Sequence, residues 1–266
     1  MDSNAGVLVA LAGRPRHDDG ANGAFAARDI AERYRARGLE TLDELKGHFA
    51  LAVIDLTHGD ALLAVDRFGV EPLYFSVRGE ALLFSSRADS LAAHPLGDTG
   101  LDAQSIFDYV YFHCIPAPRS VYAHQQRLLP GQFARFRGGR IQIGFYWQLS
   151  YDSHSGSSDT LENEFRHSLE QAVARAADSG PVGAFLSGGT DSSTITGLLS
   201  RLQERVDTYS IGFDAGGYDE MQYARIASRH FGTVPHEYYV TPEDVVAAVP
   251  LIARAYDEPF GNASAV

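Results

Sequence analysis

Two different folds in tandem are what this chain predicts. An antiparallel α+β domain with a sandwich-like layering is expected over residues 1–150, and an α/β domain built on a parallel sheet over residues 160–266, with residues 151–159 as linker. Three observations carry the prediction. Up to Trp147 the chain is dominated by short β-like runs separated by turn residues. Beyond it, amphipathic helices alternate with short β-branched strands. Between the two lies a polar stretch, Tyr151 to Asp159, whose Ser153-His154-Ser155-Gly156-Ser157-Ser158 core has no apolar period.

The front strands are expected at Val7 to Leu11, Phe49 to Leu56, Ala61 to Val65, Leu73 to Val77, Ala81 to Ser85, Gln132 to Phe136 and Ile141 to Tyr146. Thr57-His58-Gly59-Asp60, Arg78-Gly79 and Gly138-Gly139 are the turn signals between them. Two helical patterns interrupt, Ala24 to Arg37 and Gln104 to Tyr111. After the linker the order is helix Leu161 to Ala177, strand Val182 to Leu186, helix Asp191 to Leu202, strand Asp207 to Phe213, helix Glu220 to Phe231, strand Val234 to Val240 and helix Pro242 to Ala255. Helices of this length between short strands imply βαβ crossovers and a parallel sheet. Such a sheet needs cover on both faces, so apolar surface around Val234 to Val240 is expected to stay exposed and the back domain to be the less firmly held. Both ends are abrupt, and the chain is expected to be a fragment.

The 266 residues include 45% hydrophobic and 21% charged types, which fits a folded core and excludes collagenous or wholly disordered chains. A net charge of −12, from 22 basic and 34 acidic residues, sets a field that repels polyphosphate backbones, so nucleic acid is not an expected partner. The first apolar run, Val7 to Ala12, follows no basic residue and so lacks the charged start of a signal peptide. No window holds the roughly 20 apolar residues of a membrane span, and the cytoplasm is the expected location. The single cysteine, Cys114, excludes an intrachain disulfide framework. It is expected to be a buried thiol.

The segment richest in chemistry is Val182-Gly183-Ala184-Phe185-Leu186-Ser187-Gly188-Gly189-Thr190-Asp191-Ser192-Ser193. A strand runs into Ser187, two glycines permit a tight turn, and Asp191-Ser192-Ser193 opens a helix with capping side chains. Turn amides and the unpaired N–H groups of the first helical turn would converge on one point, with hydroxyls of Ser187, Ser192 and Ser193 adding donors. That is a cradle for a phosphate chain. It lacks the lysine of a Walker A loop, which suits holding pyrophosphate while bonds between the α and β phosphates are cleaved. The bland alternative is an ordinary strand-to-helix turn, but the place, after the first strand of a βαβ series, is where open α/β sheets bind ligands.

Ser187-Gly188-Gly189-Thr190-Asp191-Ser192 resembles the pyrophosphate loop of the ATP pyrophosphatase superfamily, and its surroundings resemble asparagine synthetases. Tyr209 to Phe213, Asp219-Glu220 with Ala224 and Ala227, His230 to Thr233, His236-Glu237, and Tyr256-Asp257-Glu258-Pro259-Phe260 with Ala263-Ser264-Ala265 follow in the family's order. The front half resembles that family's class II glutamine amidotransferase domain through Leu45 to Ala50, Asp66 to Tyr74, Ile115 to Ser120 and Leu129-Pro130-Gly131. The resemblance implies an Ntn-hydrolase type front fold and an adenine-nucleotide α-hydrolase-like back fold. It implies Leu186 and Ile211 beside adenine, and Ser187, Gly188, Gly189, Asp191 and Ser192 on the pyrophosphate of ATP, with Asp191 on Mg²⁺. Asp257 and Glu258 are expected either near the metal or substrate or in a structural turn. The implied partners are small molecules, a carboxylic amino acid with aspartate first, and ammonia or an amine; a homodimer is open.

The same resemblance exposes what the front half lacks. No cysteine stands near Met1 to serve as the family's N-terminal nucleophile. Ala12-Gly13-Arg14 stands where the family has Asn-Gly-Glu, and Ala24-Phe25-Ala26 where it has Gly-Ser-Asp. Losing one oxyanion donor costs about 10²–10³ in rate. The glutaminase is therefore expected to be dead, with no catalytic residue assignable in this chain. Three readings stay open: an asparagine synthetase, a biosynthetic amide or lactam synthetase with an amine nucleophile, and a nonenzymatic ATP-binding scaffold.

Overall fold

A computed structural model of the chain describes residues 2–4, 6–17, 26–151, 156–177, 180–214, 219–261 and 265. The described residues divide into two compact units, one from the first 151 residues together with Ile252–Ala265, the other from residues 152–251.

In the first unit, β1 (Asp2–Asn4), β2 (Val7–His17), β3 (Leu45–Asp55), β4 (Asp60–Val65), β8 (Gln132–Arg137) and β9 (Arg140–Phe145) form one antiparallel sheet in that spatial order. β6 (Ala81–Ser85), β5 (Tyr74–Arg78) and β7 (Gln126–Arg127) form another. Strand alternation sends Phe49, Leu51, Val53, Leu62 and Ala64 to one face of the larger sheet, where they bury Ile30 and Ala31 of α1 (Ala27–Arg37) and Leu42 of a 3₁₀ turn, Gly38–Glu44. The opposite face carries Ala50, Ala52, Leu63, Val65 and Ala134 and packs on Leu73, Phe75 and Leu128. Its small side chains admit the bulkier ones of the second sheet. That sheet's other face buries Tyr74 against Ala88 and Leu91 of α2 (Ala88–Ala92). The layers run helix, sheet, sheet, helix. α3 (Ala103–Phe112) starts on an Asp102 cap whose carboxylate accepts from the Gln104 amide, 3.1 Å away.

Asp66, 1% exposed, ties the corner between β4 and β5. Its carboxylate accepts the amides of Phe49, Phe68, Val70 and Glu71 at 3.2, 2.9, 3.2 and 3.1 Å.

The second unit holds a parallel sheet of β10 (Ala184–Phe185), β11 (Asp207–Phe213) and β12 (Val234–Val240), preceded by α4 (Ser158–Ala177) and joined by α5 (Thr190–Leu202) and α6 (Met221–Phe231). α7 (Pro242–Ala255) follows. Leu186 packs with Met221, Ala224 and Ala227, and a second cluster joins Val173, Leu199 and Val206. β11 buries Thr208, Ser210 and Gly212 and turns Tyr209, Ile211 and Phe213 outward. β12 has no fully buried residue and exposes Tyr238 and Tyr239, as the expectation for an uncovered edge requires. α7 buries none of its residues either.

Two expectations need correction. Val182 to Leu186 is paired as a strand over Ala184–Phe185 only, because it lies at the edge of the sheet and the chain turns for the glycine loop; a single further bond runs from the Leu186 amide to Tyr209 O at 2.9 Å. Cys114 is exposed, not buried. His113, left-handed at φ 60°, ends α3 and turns the chain so that Ile115, 3% exposed, takes the interior place. Among the described residues no helix is long and apolar enough to cross a membrane. Ala24, Phe25, Ala263, Ser264 and linker residues 152–155 lie outside the described residues.

Candidate nucleotide site

β10 leads into Leu186, and the turn of Ser187, Gly188 and Gly189 delivers the chain to the first residue of α5, Thr190. Gly188 has φ +83°, and a Cβ built there would lie 2.3 Å from the Tyr223 carbonyl carbon and 2.5 Å from the Ala224 nitrogen. The turn passes so close to the start of α6 that only glycine fits. Gly189 differs: it is the extended cap of α5, and a Cβ would meet only Ser187 Oγ at 3.4 Å. The Gly-Gly pair thus does two jobs, close approach at one residue and capping at the next.

The hydroxyls hold the loop in shape. Ser187 Oγ and Ser192 Oγ are 3.1 Å apart, the Ser187 amide donates to Ser192 Oγ at 3.3 Å, and the Gly189 amide donates to Ser187 Oγ at 3.3 Å. The first main-chain bond of α5 runs from Ser193 N to Gly189 O at 3.0 Å, so the preceding first-turn amides have no helical carbonyl to meet. Those first-turn amides lie beside the exposed Ser187 and Gly189 at a positive helix end, an arrangement whose chemistry suits an anion. Asp191, exposed in the first turn of the same helix, is the carboxylate nearest in sequence to those amides. No cluster of three or more metal-ligating side chains occurs among the described residues. A magnesium ion here would lean on one carboxylate and on the phosphates it accompanies, which is how that ion is commonly held.

The remaining predicted residues divide. Ile211 is half-exposed at the open face of β11. Leu186 is 2% exposed and packed beneath α6, so its side chain cannot touch a ligand and only its backbone could; its carbonyl accepts from Ser210 Oγ at 2.6 Å. Asp219 accepts from the Met221 amide and the Tyr239 hydroxyl, both at 3.2 Å, which makes it a brace for the start of α6. Glu237 forms a forked pair with Arg225, whose Nη2 lies 2.6 Å away, and the guanidinium holds this carboxyl below its usual range. Asp257 and Glu258 take the structural alternative: both carboxylates are filled by donors of the first unit. Sequence reasoning missed the wall supplied by Tyr223 and the stack of Tyr209 on His236, 4.8 Å between rings and 14° from parallel. Only the alternation along β11 hinted at the latter.

In the first unit, Ala12 is a partly buried packing residue and Arg14 is exposed. Gly13 between them has φ +82°, and a Cβ there would sit 2.3 Å from His48 O. Ala26 caps α1 without a side-chain bond, and Asp29 turns back to accept the Ala26 amide at 3.1 Å.

Comparison with known proteins also divides the chain in two, although residues 252–265, which pack in the first unit, fall within the second match. Residues 27–147 match the family described as "Glutamine amidotransferase domain", and residues 164–266 match "Asparagine synthase". An amidotransferase-type domain is therefore joined to a synthase-type domain. The chain belongs to the asparagine synthetase family. It is 28% identical over 235 residues to asparagine synthetase [glutamine-hydrolyzing] 1 of Bacillus subtilis, covering 88% of this chain and 37% of the relative. A provisionally named asparagine synthetase [glutamine-hydrolyzing] 2 of Methanocaldococcus jannaschii is 32% identical over 244 residues, 88% of this chain and 47% of the relative. Another provisionally named asparagine synthetase, of Mycobacterium bovis, is 30% identical over 260 residues, 92% and 40% respectively. The chain spans less than half the length of these relatives.

Proposed function

We propose that this chain contributes the nucleotide-binding part of an ATP-dependent amide-forming ligase. The observation that carries the reading is the Ser187-Gly188-Gly189 turn at the head of α5, with its glycine-only approach to Tyr223 and Ala224. In this reading the first-turn amides of α5 and the Ser187 and Ser192 hydroxyls hold the pyrophosphate portion of ATP, Asp191 faces its magnesium ion, and Ile211 and the Leu186 backbone border the adenine. A substrate carboxylate, aspartate first among candidates, attacks the α-phosphorus and displaces pyrophosphate; an amine or ammonia then attacks the acyl carbon and releases AMP. The protein's part is positioning and charge stabilisation, which supply most of the rate in such transfers. Calorimetry with MgATP tests the loop: Gly188→Val should abolish binding and Asp191→Ala should weaken it at least tenfold. Unchanged affinity in both variants would sink the assignment.

The second half of the proposal concerns the nitrogen source. Ala12, Arg14 and Ala26 stand at the positions the family resemblance reserves for glutamine recognition, which supports a front unit without glutaminase activity and a nucleophile that arrives as a free amine. Glutamate release from glutamine should stay at background, and turnover above it refutes this half. That result also separates a lactam- or amide-forming biosynthetic ligase from a glutamine-dependent asparagine synthetase. A nonenzymatic scaffold would show ATP binding without carboxylate-dependent exchange of pyrophosphate into ATP.

A further inference from the structure

The acidic turn Asp257-Glu258 takes no part in the nucleotide reading, yet its surroundings are built around it. Glu258 retains 10% side-chain exposure, and its carboxylate takes three donors from distant parts of the chain. The Tyr74 hydroxyl donates to Oε2 at 3.0 Å, Arg127 Nη1 to Oε2 at 3.1 Å and the Val121 amide to Oε1 at 3.1 Å. Asp257 accepts the amide of Ala88 at the start of α2. On either side, Arg87 Nη1 donates to Ala255 O at 3.0 Å and the Gly261 amide to His113 O at 2.7 Å. The rings of Tyr256 and Phe260 meet edge-on at 4.6 Å across the bend.

The donors are themselves held in place. Arg127 Nη2 donates to Ile115 O at 2.9 Å while its guanidinium carbon lies 5.9 Å from the centre of the Tyr74 ring. Tyr74 is 2% exposed, and burial, with the nearby Glu258 and Asp257 charges, pushes its phenol well above the usual range, so it stays a donor. A carboxylate this far from water is tolerated only when its oxygens are met, and the reverse holds for the socket: without Glu258, a buried phenol, a guanidinium arm and a main-chain amide lose their acceptor together.

The geometry points to Glu258 as the residue that anchors the later segment, residues 252–261, within the first unit, with Tyr74, Arg127 and the Val121 amide as its socket. This gives the amidotransferase-type fold a task that needs no glutamine. It stands independently of the nucleotide assignment, because no residue of the glycine loop enters it.

Hydrogen exchange on the intact chain reads the anchor directly, since the Val121 amide is one of the three donors. Glu258→Ala should speed exchange at Val121 and across residues 252–261 by about tenfold or more, the equivalent of one lost charge-assisted bond, while β3 and β4 change less than about twofold. Glu258→Gln keeps an acceptor of the same shape without the charge and should fall between wild type and Glu258→Ala. Arg127→Gln should match Glu258→Gln, and the double variant should be no worse than either single one. Unchanged exchange at Val121 and residues 252–261, or an equal rise over every front strand, overturns the proposal. Should Glu258→Ala fail to fold, Tyr74→Phe removes a single donor and reads the same amides; no rise there overturns it as well.

Discussion

The two units use their strands in opposite ways. In the first, the larger sheet is apolar on both faces, and each face has a partner: Phe49, Leu51 and Val53 lie under α1, and Ala50, Ala52 and Leu63 against the second sheet. In the second, β11 turns Thr208, Ser210 and Gly212 inward and Tyr209, Ile211 and Phe213 outward, so one face of the parallel sheet is open. Besides its two small apolar clusters, the second unit carries polar links, among them Arg225 to Glu237, Asp207 to Arg205 and His236, and Thr233 Oγ1 with both Thr208 and Ser228 at 3.0 and 2.9 Å. The first unit therefore owes its firmness to buried apolar area. The second is expected to depend more on its solution conditions.

The sharpest way to test this contrast is to shorten one apolar side chain in the first unit's core and one on α7 of the second. Phe49→Ala or Leu63→Ala, each at a site essentially without exposure, should cost about 3–5 kcal/mol in urea unfolding. Val246→Ala on exposed α7 should stay within about 0.5 kcal/mol. Equal losses would show that apolar packing holds the second unit as firmly as it holds the first. Next in size, Asp66→Ala removes the acceptor for four amides and should cost about 2–4 kcal/mol, with the loss confined to the first unit's unfolding transition. An effect below about 0.5 kcal/mol would mean that water replaces the carboxylate.

Limited proteolysis sharpens the comparison without mutation. The first cut should fall within residues 151–159 and the segment after it should be degraded before the front strands; a resistant core from the later segment would reverse the ranking. The smallest expected effect is in acid. Asp244 is held below its ordinary 3.8 by the Thr241 amide and hydroxyl and the Tyr238 hydroxyl. A depressed carboxyl stabilises the fold above its unfolded value and loses that contribution as pH falls through the native one. Protection of the Thr241 amide, corrected for intrinsic exchange, should therefore drop below pH 3.8 while that of Leu63 holds. Constant protection at Thr241 down to pH 2 would remove the Asp244 carboxylate as the acceptor that holds the Thr241 amide ahead of α7.

Much of this architecture was readable beforehand wherever an element was long enough to show its period. Ala81–Ser85, Asp207–Phe213, Val234–Val240 and Pro242–Ala255 fall where alternation or helical spacing places them. α2, with five residues, and β7, with two, carry no period at all and were invisible. The glycine loop was legible because its chemistry is local: strand, turn and helix cap are consecutive residues. The Glu258 socket was not, because Tyr74, Val121 and Arg127 come together only through the tertiary fold, and nothing in Asp-Glu-Pro distinguishes a metal ligand from an anchor. Cys114 misled for the opposite reason. A free cysteine is usually buried, but the left-handed turn at His113 gave the interior place to Ile115.

The anchor also sets a schedule for synthesis. Tyr74 leaves the ribosome 184 residues ahead of Glu258, and Arg127 131 residues ahead. At about 5–20 residues per second, the socket waits roughly 10–40 s for the carboxylate from the moment Tyr74 is made. Once Phe145 is made, every strand of the two sheets has been translated and they can close on each other, while the Tyr74 hydroxyl and Arg127 Nη1 still wait for their carboxylate. The last step in building the first unit is thus taken by Glu258, which lies 131 and 184 positions further along the chain than the donors it meets.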